Sequence, residues 1–157
     1  MADKLYYVDK QLKSTIDVST NRTMLRLKNA INRNGKKSIA DRIIKDCFKK
    51  IKSISNESPE HVLSLAIENT KPYVELKSIR IAGTTHQVPI EILPGRRDAI
   101  AIKWIVESAR KKKGRPFVDG LSKEFMDAYK NQGSSIKKKE DLHKRAESNR
   151  AFSHFRW

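Results

Sequence analysis

Between Tyr73 and Ile92 the apolar residues leave helical spacing and begin to alternate. No other feature of the chain restricts its fold as much. Val74 and Leu76 fall on one face of an extended segment, Ile79 and Ile81 on the other, and Val88, Ile90 and Ile92 alternate on a return segment. This is the period-two signature of paired strands. Ala82-Gly83-Thr84-Thr85 supplies the reversal, and the change of face between Leu76 and Ile79 predicts a bulge or a strong twist. Pro89 cannot donate to a ladder, which suits an edge strand. A lone two-stranded ribbon is marginal in water, so it must lean on helices at its base or on a partner along its length.

Helical spacing rules the remainder. A first helix is predicted from Thr20 or Asn21, burying Met24, Leu25, Leu27 and Ile31 and stopping at Asn34-Gly35. A second starts near Lys37 or Ser38 and lines up Ile39, Ile43, Ile44, Phe48 and Ile51. Ser58-Pro59-Glu60 opens a third, with a cap, a first-turn proline and an acid facing the helix dipole, and Pro72 closes it. A fourth is expected from Arg97 to Lys112 with Ile100, Trp104, Ile105 and Ala109 inward, and a fifth from about Gly120 to Gln132. A sixth, capped by Ser134 or Ser135, runs to about Asn149. The expectation is a mainly α fold: six helices with one protruding two-stranded ribbon at 73–92, between the third and fourth. Residues 1–19 read as an extended, partly basic arm, and 20–157 as a single domain. Chain length allows a real core.

Charge indicates the partner. The sequence holds 34 Lys and Arg against 18 Asp and Glu, a net charge of +16. Residues 1–50 carry 13 cations and 5 anions, 51–100 carry 6 of each, and 101–157 carry 15 and 7. An excess of this size at both ends calls for a polyanion whose phosphates the cations neutralise. Arg22, Arg26 and Arg33 share the outer surface of the first helix. Arg110, Lys111, Lys112, Lys113 and Arg115 crowd the end of the fourth, beyond what capping a dipole requires. Lys137, Lys138 and Lys139 open the sixth helix at its positive end, an arrangement that makes sense only if an anion sits there. The closing Ala151-Phe152-Ser153-His154-Phe155-Arg156-Trp157 mixes aromatics and cations, suited to docking on the protein or to stacking on bases.

Other classes find little support. There is no nucleophile motif, no phosphate-cradling glycine loop and no carboxylate pair in an apolar setting, so an enzyme is not expected. Cys47 and four scattered histidines offer no metal spacing, and no cofactor is expected. No apolar run approaches the length of a membrane helix. Met1-Ala2-Asp3-Lys4-Leu5 resembles neither a secretory nor a transit segment, so the chain is expected to act where it is made or to have lost a presequence. A free DNA-binding helical protein is the rival, but it needs one base-reading helix, whereas cations here surround the chain. Folded RNA, read by shape and phosphates from several directions, fits better.

The order of motifs resembles one family: small-subunit ribosomal protein S seven in its bacterial and organellar form. Gly35-Lys36-Lys37-Ser38 followed by Ile43-Ile44 and Cys47 is similar to its N-terminal signature. Glu68-Asn69, Lys71-Pro72, Arg80, Gly83, Gln87-Val88-Pro89, Arg97 and the Trp104 helix resemble its hairpin and following helix. Lys137 through His143, Asn149-Arg150-Ala151-Phe152 and His154-Phe155-Arg156-Trp157 resemble its C-terminus. His86 stands where relatives often carry an aromatic residue. The resemblance implies a primary binder of the 3′ major domain of small-subunit rRNA that nucleates assembly of the subunit head, with neighbouring small-subunit proteins as further partners. It implies rRNA contacts from Arg22, Arg26, Arg33, Lys36, Lys37, Lys77, Arg80, Arg96, Arg97, Arg110 to Lys113, Arg115, Lys137 to Lys139 and Arg150. Gly83, Thr84 and Thr85 would lie nearest the exit-site tRNA and the mRNA exit path. The closing Phe-Arg-Trp and the Lys-, Ile- and Asn-rich composition also occur in organelle-encoded members, which favours a mitochondrial ribosome, with a plastid or a bacterial cytoplasm as the alternative.

Overall fold

The computed structural model describes residues 22–55, 57–81 and 83–155, so the arm expected at 1–19 lies outside the described residues. Helix α1 is described over residues 22–31. It is followed by α2 (Lys37–Ile54), α3 (Pro59–Thr70), the strands β1 (Val74–Ile81) and β2 (Thr84–Glu91), α4 (Pro94–Lys111), α5 (Phe117–Tyr129), α6 (Ser134–Ser148) and a 3₁₀ helix (Arg150–Phe155). The fold is mainly α, with the single hairpin between the third and fourth helices as expected.

Helix α5 is the centre of the bundle and packs on α2, α3, α4 and α6. Its inward stripe, Leu121, Phe125 and Ala128, meets Ile44 and Ile51 of α2, Val62, Leu63 and Ala66 of α3, and Ile102, Ile105 and Val106 of α4 in one buried cluster. Each fully buried Leu, Ile or Phe in it contributes about 1.5–3 kcal/mol of transfer free energy. Local chemistry sets the boundaries. The Ser58 hydroxyl accepts the His61 N–H at 3.3 Å to start α3, and Pro59 fills a first-turn position whose N–H is not needed. Pro72 forces Lys71 to an extended ψ of 123°, and α3 ends there.

Several expected boundaries and faces move. Helix α4 begins at Pro94 rather than Arg97, because proline is well suited to the first turn. Its buried stripe contains Ala101, Ile102, Ile105, Val106, Ser108 and Ala109, while Ile100 and Trp104 are only half-buried. Helix α5 starts three residues early, directly after Pro116. Leu25 and Ile39, expected inward, are 60% and 48% exposed, since Leu27 and Ala40 take the core-facing positions of α1 and α2.

The ribbon has no bulge. Its register runs without interruption from Val74 opposite Glu91 to Ile81 opposite Thr84. The apolar face switch therefore reflects which side of the ribbon is covered at each height. Val74, Leu76 and Pro89 are half-buried on one face, whereas Ile79, Ile81, His86, Val88 and Ile90 share the other. Val88 is wholly buried although it lies outside the main core cluster. The 3₁₀ helix packs along β2, with the Phe152 and Phe155 rings 4.7 and 6.5 Å from His86. His86 thus takes part in an aromatic contact within the chain, and the C-terminal segment docks on the ribbon. The strands are joined through two residues rather than the four read from sequence, and Gly83 adopts φ +86°, a conformation costly for any side-chain-bearing residue.

Candidate nucleic-acid interface

The predicted cations fall into two kinds once their partners are known. Some are used by the fold. Both Arg110 contacts to backbone come from Nη2, which donates to the Ala30 and Ile31 carbonyls at 3.1 and 3.0 Å and closes the end of α1, while its guanidinium lies 5.8 Å from the Phe117 ring. Arg97 donates from Nε to the Ile92 carbonyl at 2.8 Å and sits 5.3 Å over the Tyr73 ring, fixing the base of the ribbon against α4. Arg96 pairs with Glu75 at 3.0 Å on the exposed side of that junction. Arg150 makes a loose, exposed pair with Glu147 at 3.5 Å.

The lysine triplet of α6 is resolved in an unexpected way. An anion does sit at that helix end, but the protein supplies it. Glu124 of α5, 0% exposed, accepts both the Ser135 backbone N–H and the Ser135 hydroxyl at 2.9 Å through Oε1. Its Oε2 lies 2.6 Å from the Lys112 ammonium. The serines do not cap α6 by their own side chains; a carboxylate from the neighbouring helix performs that role. Gly133 permits the approach, because its φ is +100° and a Cβ there would stand 3.3 Å from Glu124 Oε1 and 3.0 Å from the Asp127 Cβ. Lys138 then pairs with Glu107 at 3.3 Å and Lys139 donates to the Asn69 carbonyl at 2.6 Å, leaving Lys137 exposed. Asn69 in turn donates to the Ala128 and Tyr129 carbonyls at 3.1 Å and caps α5.

The second kind is exposed and forms no ion pair among the described residues: Arg22, Arg33, Lys36, Lys37, Lys77, Arg80, Lys111, Lys113, Arg115 and Lys137. Six of these flank two loops. Arg33, Lys36 and Lys37 flank the α1–α2 turn, where Asn34 and Gly35 take positive φ. Lys111, Lys113 and Arg115 flank the α4–α5 loop. Arg110, bonded to the last turn of α1, ties the two together. Burial, and then the nearby Arg33 charge, hold the Arg110 guanidinium below its ordinary pKa, with Glu107 opposing them in part. Lys77 and Arg80 project from opposite faces of the ribbon, and Gly83, Thr84 and Thr85 lie exposed at its tip. The Thr84 hydroxyl donates to the Ile81 carbonyl at 2.9 Å, bracing the turn.

A hollow at the start of α4 joins Arg22, Arg26, Lys71 and Arg97 with Glu68 and Asp98. Asp98 binds Arg26 at 3.1 Å and Lys71 at 2.9 Å. Burial works against the Lys71 charge, but the hydrogen bonds it donates to Glu68 and Asp98 prevail and raise its pKa. Lys71 enters the sequence reading only within the motif Lys71-Pro72, and Glu124 does not enter it. Glu124 did leave a signal: it falls between Leu121 and Ala128 on the buried stripe of α5, the only acid there. Among the described residues no cluster of His, Cys, Asp or Glu could hold a metal, and no helix is long and apolar enough to cross a membrane.

The sequence matches the family described as Ribosomal protein S7p/S5e over residues 4–150. The chain belongs to that family. Small ribosomal subunit protein uS7 of Treponema denticola is 50% identical over 79% of this chain and 80% of its own. The uS7 of Pelagibacter ubique is 46% identical over 91% and 92%. The uS7m of Reclinomonas americana is 47% identical over 89% and 88%. The S7 family is structural rather than catalytic, and the chain is not an enzyme.

Proposed function

We propose that the protein is a structural constituent of the small ribosomal subunit that binds the 3′ major, or head, domain of small-subunit rRNA and nucleates head assembly. Family membership supports the ribosomal role. The observation that carries the RNA-binding reading is that Arg33, Lys36, Lys37, Lys111, Lys113 and Arg115 are exposed, make no ion pair among the described residues, and flank two loops linked through Arg110. Exposed cations left without an ion pair are stabilised by phosphates, with release of condensed counterions. The hollow with Arg22, Arg26 and Arg97 and the ribbon cations Lys77, Arg80 and Arg96 extend this surface, and Lys137, Lys138, Lys139 and Arg150 supply a further flank. Lys112 belongs chiefly to the Glu124 bridge.

The ribbon tip, Gly83, Thr84 and Thr85, is assigned to the exit-site tRNA and the mRNA exit path, since it is exposed and free of the packing that engages the ribbon base. A mitochondrial ribosome is proposed from the Lys-, Ile- and Asn-rich composition; the relatives named above include bacterial and mitochondrial proteins of similar identity. The test is titration of a transcribed 3′ major domain fragment at several salt concentrations. Engagement of 6–10 phosphates weakens binding by roughly 10³–10⁵ between 50 and 200 mM salt. A flat salt profile contradicts the proposed contacts.

A further inference from the structure

We propose that the hollow between the ribbon base and α6 is a binding site for one unpaired guanine of RNA, an assignment that rests on the RNA-binding reading above. The hollow encloses about 420 Å³, within the usual range for small-ligand sites. Val74 and Pro89, on one face of the ribbon, give it an apolar floor, and Tyr73 and His143 give it aromatic walls. Tyr73 is 62% exposed, yet its ring is held by the Arg97 guanidinium and lies 5.9 Å from the His143 ring. An aromatic ring fixed in place and open to solvent is the platform on which unstacked bases rest in single-strand recognition.

The polar groups select the base. Glu91 and Glu147 line the hollow, and both are exposed. Carboxylates repel phosphate and accept N–H groups, so they address a base edge rather than the backbone. Guanine alone among the standard bases presents two adjacent donors, N1–H and the N2 amine, which match the two oxygens of one carboxylate. His143 adds the complementary donor. Its Nε2 accepts the Tyr73 backbone N–H at 3.2 Å, which places the proton of the neutral ring on Nδ1, where it has no acceptor among the described residues. A guanine O6 would provide one. Burial and the Lys139 charge lower the His143 pKa and favour that neutral form. Arg150, held only loosely by Glu147, is free to meet a flanking phosphate.

The experiment uses the full chain and fluorescein-labelled U-rich nonamers with a central guanine, adenine, inosine or uracil, read by anisotropy. The expected result is guanine roughly fivefold or more tighter than adenine or uracil, inosine in between because it lacks the N2 amine, and loss of the preference in the Glu91→Gln/Glu147→Gln protein. Tyr73→Ala weakens the guanine nonamer while Tyr73→Phe does not. Equal affinities for all four nonamers, or a preference that survives in the double variant, overturn the site. If the wild type lacks the preference but binds the 3′ major domain fragment, this proposal alone falls; loss of both removes the RNA-binding reading. A photoreactive benzoylphenylalanine in place of Tyr73 gives a second readout in assembled subunits. Crosslinks to a guanine support the site, and crosslinks to a protein show another occupant and overturn it.

Discussion

The Lys112–Glu124–Ser135 bridge makes a quantitative prediction that depends on burial rather than on RNA. Glu124 is fully buried, with Oε1 serving Ser135 and Oε2 serving Lys112, which is itself 27% exposed in its side chain. In Glu124→Gln one carbonyl oxygen remains and can satisfy Ser135 or Lys112, not both. The loss equals about one hydrogen bond to a charged group, roughly 1.5–3 kcal/mol. Lys112→Met leaves the carboxylate charged and buried with only the Ser135 donors. Removing one partner from a buried pair costs about 3–5 kcal/mol, and the partial exposure of Lys112 places the value near the lower bound. At about 2–4 °C per kcal/mol for a chain of this size, Tm falls by roughly 3–12 °C in Glu124→Gln and 6–12 °C in Lys112→Met. The double variant is the decisive one. With a neutral glutamine no charge is stranded, so the two changes together cost less than their sum by about 0.5–3 kcal/mol. Thermal unfolding followed by circular dichroism measures all four proteins. Strict additivity, or a Lys112→Met protein within about 0.5 kcal/mol of the parent, refutes the bridge as the force that seats α6 on α5.

Other outcomes follow from individual side chains. Burial raises the Cys47 thiol pKa to about 11, against 9.0 when exposed, so the unfolded chain ionises first and stability falls as pH rises past 9; a maleimide at pH 8 should label Cys47 only as fast as the protein opens, and prompt native labelling contradicts its placement. His143 shows the opposite dependence. Its folded pKa lies below the ordinary 6.5, so the unfolded state binds the proton first and stability falls as pH drops through that value; a His143→Gln protein, whose amide oxygen can still accept the Tyr73 N–H, should show a smaller loss between pH 7 and 5 than the parent in matched melts. Replacing Lys111, Lys113 and Arg115 by glutamine should reduce the log–log salt slope of rRNA binding by about one for each phosphate no longer neutralised while leaving Tm nearly unchanged, and an unaltered slope removes these residues from the interface. Trimming the ribbon tip at Gly83 should preserve rRNA affinity and disturb retention of exit-site tRNA; a large drop in rRNA affinity would make the tip an anchor instead.

Much of this fold is written locally. The change of period at Tyr73, the Ser58-Pro59 helix start, and the stop before Pro72 each depend on residues adjacent in sequence, and each appears where local chemistry places it. What sequence reading missed depends on partners far along the chain. Nothing near Lys137 shows that Glu124 fills the positive end of α6, and nothing near Arg110 shows that it caps α1 some 80 residues earlier. A lysine run looks the same whether it faces phosphate or a buried carboxylate. The apolar face switch, which in the sequence predicts a bulge or a strong twist, has a tertiary cause: Val74 and Pro89 border the hollow beside α6 while His86 meets the 3₁₀ helix. The exposed cations were legible as a class, but which of them remained free became clear only after the acids were placed.

On the proposed reading, the exposed cations of this chain that make no ion pair hold the head-domain RNA of a small ribosomal subunit. Ultraviolet crosslinking of the protein in a native lysate, followed by sequencing of the attached RNA, tests it most directly. Reads are expected to concentrate in the 3′ major domain of one small-subunit rRNA, with the genome encoding that rRNA identifying the compartment. Reads scattered across messenger RNAs, or confined to another rRNA domain, would contradict it.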